Sequence, residues 1–574
     1  MNQAMVKLAD FTNEVPVTLP WSAFGMEPPA PCSRCEAFKP EPTPDGNLRV
    51  DPDIHLPSVG MDVDIASFYN ANSNYNGPYG YGRTISPNQL CQASGTPTMV
   101  SLTRGNGSMV SYLNNGSGTY LPQTYGLINS LVQDTTNSYW RETTPGGVTT
   151  AYPLNTTGMI TSMSWIQDAC GNTQTMSYAT GLLTGIMDPV GRLVTLAYTS
   201  GLLQSIQDWD NRLTTFLYNT TLVSGKPVLT TITGPTGCQT AYQYSTTPLL
   251  TGITDPNGYL TSYSYDGSNR VVTKYVPGVG TTSYSYATHQ MTIQNALGYA
   301  LTQALGSAGV ILGVQNALGQ MVTFLRNNGF ENQLQNPAGS IATTLYDLKY
   351  NVIAKIDPLG RATSMQYDPY NNPTTIMYAD GTVEQNIYGY SGSSFDTTGA
   401  KRRVQMSIDA LGNVTTMAYT SQGLLLSTMD PLANLTTLGY DSFGNRNSVV
   451  NPLGFIATSV YDLAGNVIAS IDPLGNTTSR TYDNQNRLTS TTDPLGNITT
   501  LAYDSIGNNV LRISPLGFRT TLAYNVFDQP VSVTDPLGNV STTIFDALGH
   551  DDLRPAKPRR RDDGSPGQYQ HKSI

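Results

Sequence analysis

The stretch DPLGNTTSRTYDNQNRLTSTT, Asp472 to Thr492, decides the fold. Asp, Pro and Gly stand at its first, second and fourth positions, the residues a type I turn favours at those places. Asn476 to Tyr482 follows as a strand rich in β-branched and aromatic residues, Asp483 to Asn486 gives a second turn, and Arg487 to Thr492 supplies the return strand. The segment reads as one β-hairpin.

It recurs along the chain. DALG at Asp409, DPLA at Asp430, NPLG at Asn451, DPLG at Asp472 and Asp493, SPLG at Ser514 and DPLG at Asp535 step by 21 residues without a slip. Ten residues after each start stands an aromatic: Tyr419, Tyr440, Tyr461, Tyr482, Tyr503, Tyr524 and Phe545. Looser copies start at Asp168, Asp188, Asp208, Asp255, Asn295, Asn316, Asn336 and Asp357, and an extra ten residues around Ser391 to Ala400 read as a loop insertion. Residues 160 to 549 then hold roughly eighteen to nineteen units.

Residues eight and ten places after each turn start share one strand face, as in Met417 with Tyr419, Leu438 with Tyr440 and Leu501 with Tyr503. The opposite face is mostly polar or small, so one side of the sheet demands burial. A 21-residue hairpin is not stable alone, and neighbouring hairpins must pair edge to edge. The predicted fold is all-β: tandem hairpins forming a long antiparallel sheet that curls to bury its apolar face. A β-propeller, with blades of two units each, is the rival closure.

Composition agrees. Only 12% of the 574 residues are charged, against roughly 25% in ordinary globular domains. Glycine (54) and tyrosine (35) are abundant, a vocabulary of strands and turns. The net charge of −10 argues against a nucleic-acid-binding body, which needs a surplus of Lys and Arg on one face. Arg559, Arg560 and Arg561 form the one basic cluster, read as part of a solvated, disordered tail. No apolar run approaches the length of a membrane span, and Met1 to Glu14 has no signal-peptide core.

The repeat DPLGNITTLAYDSIGN from Asp493 resembles the YD or RHS repeats of bacterial RHS proteins and of the teneurins. Upstream, DIHLPSVGMDVDIASFYN from Asp53 and GPYGYGRTIS from Gly77 resemble the segment preceding the repeats in bacterial RHS proteins, with Arg83 where that family usually shows Trp. The resemblance implies a hollow β-shell around a C-terminal payload, commonly a toxin, with a core motif after the last repeat that closes the shell and can cut itself through aspartates. After Gly549 this sequence runs into HDDLRPAKPRRRDDGSPGQYQHKSI, with neither core motif nor payload, which reads as a truncation, a frameshift or a bare scaffold.

Candidate sites are few. The repeated aspartates suit general-acid work, but Asn451 and Ser514 fill the same place, as expected of turn formers. Cys32 and Cys35 have the spacing of half a zinc site, yet no second pair follows, and Cys91, Cys170 and Cys238 are too scattered for a disulfide framework. His55, His289, His550 and His571 are too dispersed for a catalytic set, and no nucleophile elbow or P-loop appears. Tyr79, Tyr81 and the repeat tyrosines could stack on sugars, though packing on the sheet is their expected use. No catalytic, cofactor-binding or metal-binding residue is assigned, and no cofactor is expected.

The expected plan is a Pro-rich segment with the CxxC over 1–50, an RHS-type N-terminal β region over 51–150, the repeat array over 151–549 and a basic, Pro-containing tail over 550–574. The expected function is a non-catalytic scaffold, secreted or at the cell surface, that encloses or presents a polypeptide payload and binds no nucleic acid. The alternative is an adhesin that binds carbohydrate through exposed tyrosines. The interior is expected to stay open at one end, with the edge strand near Phe545 unpaired.

Overall fold

The computed structural model describes residues 52–545 apart from 94–97, 125, 155–159, 224, 307–308, 328, 390–401, 506 and 526–528. Among the described residues there is no α-helix. The CxxC motif, the insertion around Ser391 to Ala400 and the tail beyond Gly549 lie outside them.

The turn residues set the hairpins. The Gly475 N–H donates to the Asp472 carbonyl (3.0 Å) and the Asp472 N–H to the Asn476 carbonyl (3.0 Å). Gly475 has φ +86°, so the loop is a type I turn closed by a left-handed residue. The second turn is built alike, with Asn486 N–H to the Asp483 carbonyl (2.9 Å) and Asn486 at φ 61°. Beside each tyrosine the return strand carries one extra residue. Thr481 pairs with Ser490 but Tyr482 with Leu488, and the same shift recurs at Tyr419, Tyr440, Tyr461, Tyr503 and Tyr524. A bulge bends its strand and increases the twist, so its repetition curls the ribbon in one sense.

Forty-four strands, from Leu90–Gln92 to Val540–Thr542, form one antiparallel sheet that closes on itself. The closure lies at its N-terminal end. Ile160–Ser162 pairs with Leu90–Gln92, and directly afterwards Trp165–Gln167 pairs with Thr149–Pro153 on one side and Thr173–Ala179 on the other. From there each strand pairs with its predecessor and its successor, and a single unbroken sheet rules out propeller blades. The last strand, Val540–Thr542, pairs with Pro530–Thr534 and is exposed throughout. The edge strand near Phe545, expected to be unpaired, is thus paired on one side, and Phe545 itself sits half-buried in an isolated β-bridge.

The ribbon winds back over itself. Asn172 Nδ2 donates to the Gln422 carbonyl (3.0 Å) across 250 residues, and Ser505 Oγ donates to Asn257 Oδ1 (2.5 Å) across 248. Between them the Arg192 guanidinium lies 5.6 Å from the Phe443 ring. One winding therefore takes about 250 residues, or roughly twelve units. The Asp-Pro-x-Gly edge of the first winding meets the Tyr-Asp edge of the second. Gly423 is small because the windings touch there: a Cβ on it would meet Cys170 Sγ at 2.6 Å.

The core sits inside the first winding. Inward-facing Met176, Val194, Leu196, Phe216, Ile232 and Tyr263 share one cluster with Ile65, Tyr69 and Ile85. Those last three belong to a small sheet of Pro52–Leu56, Val63–Tyr69 and Arg83–Ile85. The cluster ends near Met291. Beyond it, only Tyr388, Leu438 and Ala464 are buried among the described apolar side chains.

The inner face as candidate functional site

The repeated aspartates are consumed by their own turns. Asp472 Oδ1 accepts the N–H groups of Leu474 (2.9 Å) and Asn476 (2.9 Å), and its Oδ2 accepts Asn476 Nδ2 (2.8 Å). Asp409, Asp430, Asp493 and Asp535 repeat this arrangement with Asn413, Asn434, Asn497 and Asn539. The Asn side-chain donor and then its backbone N–H hold each carboxyl below the usual range. A general acid needs the opposite shift. Where Arg replaces Asn the pairing is ionic, as in Arg192 Nε to Asp188 Oδ2 (2.8 Å), both buried.

The repeat tyrosines are part of the wall. From Tyr419 to Tyr524 the hydroxyl donates to the backbone carbonyl 15 residues upstream, as in Tyr440 to Leu425 (2.7 Å), Tyr482 to Val467 (3.0 Å) and Tyr503 to Leu488 (2.8 Å). That carbonyl opens the preceding return strand, so the ring clamps one hairpin to the next. Arg326 stands at the tyrosine position of its own unit, and its Nε reaches the equivalent carbonyl, that of Ile311 (3.2 Å). Tyr79 is buried, and Tyr81 lies half-buried beneath the Lys226 ammonium, 4.6 Å from the ring centroid.

The other candidates do not converge. His55 Nδ1 meets Asp64 Oδ1 (2.6 Å) on the surface, and His289 occupies a left-handed turn position. Cys238 is disulfide-bonded while Cys91 and Cys170 are free thiols. Burial pushes the Cys91 thiol up to about 12, too high for a nucleophile at neutral pH. Among the described residues no group of three His, Cys, Asp or Glu side chains could hold a metal ion.

Two buried charges had no signal in the sequence. Arg83 is 1% exposed, with its Nε donating to Tyr244 Oη (3.1 Å) and its guanidinium 4.5 Å from the Tyr242 ring centroid. Glu142 is buried too. Burial alone would raise its carboxyl, but the Arg104 fork, with Tyr112 and Asn129, outweighs that and lowers it. Arg83 ties the small N-terminal sheet to the repeat strand Gln239–Tyr244, and Glu142 ties together the early strands of the long sheet.

What remains open is the inner face beyond Met291. Thr344, Tyr346, Thr363, Met365, Tyr367 and Tyr419 all lie half-buried on it. A groove of about 710 Å³ runs along this face to the rim, lined by Thr344, Lys355, Thr363 and Tyr378 among others.

A curled ribbon of identical hairpins around its own N-terminal strands defines a β-repeat shell. The family described as RHS Repeat matches residues 249–280, 346–383, 419–456 and 461–498. The array contains RHS repeats at those four stretches. None of the curated proteins matches it.

Among solved structures, the Tc holotoxin pore of Photorhabdus luminescens is similar over 87% of this chain and 30% of that one, at 11% identity and a TM-score of 0.40. A TcdB2–TccC3 complex covers 87% of this chain and 28% of that one, at 12% identity and a TM-score of 0.28. The N-terminal domain of the effector SpvB from Salmonella typhimurium strain LT2 covers 48% and 95%, at 13% identity and a TM-score of 0.15. The chain thus spans less than a third of the first two. No helix among the described residues is long and apolar enough to cross a membrane.

Proposed function

We propose that this RHS-repeat scaffold is non-catalytic and encloses or presents a polypeptide payload, as a secreted or cell-surface protein. One observation carries the reading. The sheet up to about Met291 is filled by the chain's own N-terminal strands, whereas the inner face beyond it is mostly half-buried or exposed, with only Tyr388, Leu438 and Ala464 buried among its described apolar side chains. A wall of this kind is made to be covered by something else. Within the proposal, 51–150 starts and plugs the shell, 151–549 forms the wall, and 1–50 and 550–574 flank them.

The carbohydrate reading has less support. The repeat tyrosines spend their hydroxyls on backbone carbonyls and their rings on the wall, which leaves isolated exposed rings such as Tyr275 and Tyr299 rather than a row of them.

The test is protection. An unfolded Gly-Ser reporter carrying protease sites is fused after Ile574, and its cleavage is compared with that of the same reporter on an unrelated carrier. Enclosure slows cleavage severalfold until the shell is denatured. Equal cleavage on both carriers would refute it.

A further inference from the structure

We propose that the inner face of the sheet beyond Met291 is a binding surface for an extended, acidic polypeptide. The proposal rests on the enclosure reading and names the chemistry of what is enclosed.

The strands sort charge by face. Between Ala300 and Thr542 the described strands carry eight charged side chains: Arg326, Glu331, Lys355, Glu384, Arg446, Arg480, Arg512 and Arg519. Register places seven of them on the tyrosine side. Lys355 is opposite Thr344, Glu384 opposite Ile376, Arg446 opposite Tyr440 and Arg512 opposite Leu501. Arg480 shares its strand face with Tyr482, and its Nη1 donates to inward Ser470 Oγ (2.7 Å). Only Arg519, opposite Ile513, points outward.

This distribution reverses the usual one, in which strand charges face water on the outer surface. Arg326 and Glu331 approach to 3.7 Å and offset each other. By formal charge, the inward strand residues Arg326, Lys355, Arg446, Arg480 and Arg512 against Glu331 and Glu384 give an excess of three positive charges on the inner wall of a chain whose net charge is −10. The balancing acidic residues sit in the turns, where Asp409, Asp430, Asp472, Asp493 and Asp535 are bound to their own backbone. Walls of low dielectric around a concave space concentrate such a field.

Spacing selects the partner. Arg446, Arg480 and Arg512 lie on strands Arg446–Val450, Thr477–Tyr482 and Asn509–Ile513, three strands apart each time. At about 4.8 Å per strand they form a comb with teeth ~14 Å apart. That matches about four residues of extended polypeptide. A nucleic acid strand carries a phosphate every ~3.4 Å along a duplex and would leave most of them unpaired here. Between the teeth, Ser459, Thr491 and Thr499 present hydroxyls, which bond a passing backbone without demanding sequence.

The experiment measures binding of labelled poly-L-glutamate, poly-L-lysine, a neutral Gly-Ser peptide and oligo-dT to the full chain by fluorescence anisotropy. Poly-L-glutamate should bind best, and more weakly at high salt. In the Arg446→Gln/Arg480→Gln/Arg512→Gln variant its affinity should fall about tenfold, the scale of three exposed ion pairs. The Arg446→Lys/Arg480→Lys/Arg512→Lys variant should retain it, and Arg519→Gln should change nothing. Equal binding of the neutral peptide, an unchanged affinity in the triple Gln variant, or tighter binding of oligo-dT would each overturn the proposal. The neutral reporter fused after Ile574 separates the two readings: if it stays protected while poly-L-glutamate shows no preference, enclosure stands and the acidic partner falls. If the reporter is cleaved freely, both fall.

Discussion

The Tyr482 hydroxyl donates to the carbonyl oxygen of Val467, 3.0 Å away and 15 residues upstream, and so ties one hairpin to the one before it. A net contribution near 1 kcal/mol is usual for such a bond. Tyr482→Phe keeps the ring and loses the bond, leaving the carbonyl without that donor. We expect faster amide exchange in strands Val467–Ile471 and Thr477–Tyr482, by roughly the fivefold that ~1 kcal/mol implies. Unchanged exchange in both strands would remove the clamp from the account of stability.

The left-handed turn position gives a second expectation. Ala433 has φ 64° where the neighbouring units place glycine, as at Gly475 with φ 86°. A side chain in that conformation costs about 1–2 kcal/mol. Ala433→Gly should therefore stabilise its hairpin by about 1 kcal/mol, and Gly475→Val should weaken its own by 1–2 kcal/mol, with ~2 the upper end. A Cβ at Gly475 meets nothing within 4 Å, so the effect is one of backbone strain alone. Local amide exchange reads both signs, and a loss on Ala433→Gly would contradict the turn assignment.

Acid should weaken the array in a defined window. The carboxyls of Asp409, Asp430, Asp472, Asp493 and Asp535 are held below their ordinary value by the Asn side chain four residues on and then by its N–H. A depressed folded value means that the stabilisation is complete above the unfolded value of about 4 and is lost as pH falls from there through the lower folded values. Melting temperature should be flat from neutrality down to about pH 5 and fall below about 4. Asp472→Asn should keep both backbone bonds, as Asn451 does with Leu453 and Phe455 (both 3.0 Å), while flattening the acid limb. An acid limb that is the same in this variant would point to other groups.

The repeat, the hairpin and the turn chemistry were legible in the sequence because they are local. Asp-Pro-x-Gly and the tyrosine ten residues later state their own geometry, and the alternation around Met417 and Tyr419 states which face turns inward. That the sheet curls was legible, but the period of the winding was not. Asn172 meets Gln422 across 250 residues, and nothing within one 21-residue unit records how much each bulge bends the ribbon. Nor did the period reveal the inner charges. Arg446, Arg480 and Arg512 each break the pattern of their own unit, so they read as noise until register placed them on one face.

The contact between windings can be fixed covalently. Ser505 and Asn257 touch at 2.5 Å from hairpins 248 residues apart. Asn257→Cys with Ser505→Cys, in a background of Cys170→Ser, should form a disulfide under mild oxidation that is visible as a faster-migrating band without reductant. Moving one partner by 15 residues, to Ser490, should abolish it, because Ser490 lies mid-strand. No cross-link in the first pair would mean that the ribbon does not return on itself with the period described.

The last expectation concerns the open rim. From Cys170 to Asn257 the Asp-Pro-x-Gly edge is covered: Asn257 meets Ser505, and Gly423 closes on Cys170. In the second winding the same edge faces water and carries a leucine at the third position of each turn. Leu411, Leu432, Leu453, Leu474, Leu495, Leu516 and Leu537 are all 81–87% exposed. Adjacent units lie two strands apart, so these side chains form a row with a repeat of ~10 Å. Outward-facing Met429 and Leu435, paired across the same turn, widen it into a band. A continuous apolar band of that size drives association in water. Replacing Leu453, Leu474, Leu495 and Leu516 by Ser should leave the hairpins intact, since these side chains pack on nothing, and should shift sedimentation profiles from concentration-dependent aggregates towards monomer. The exposed edge of Val540–Thr542 offers a competing cause, through strand pairing. A Val540→Lys variant tests it, because a charge there blocks strand addition and leaves the leucine row untouched. Loss of association in the lysine variant alone would place the liability on the edge strand and clear the rim.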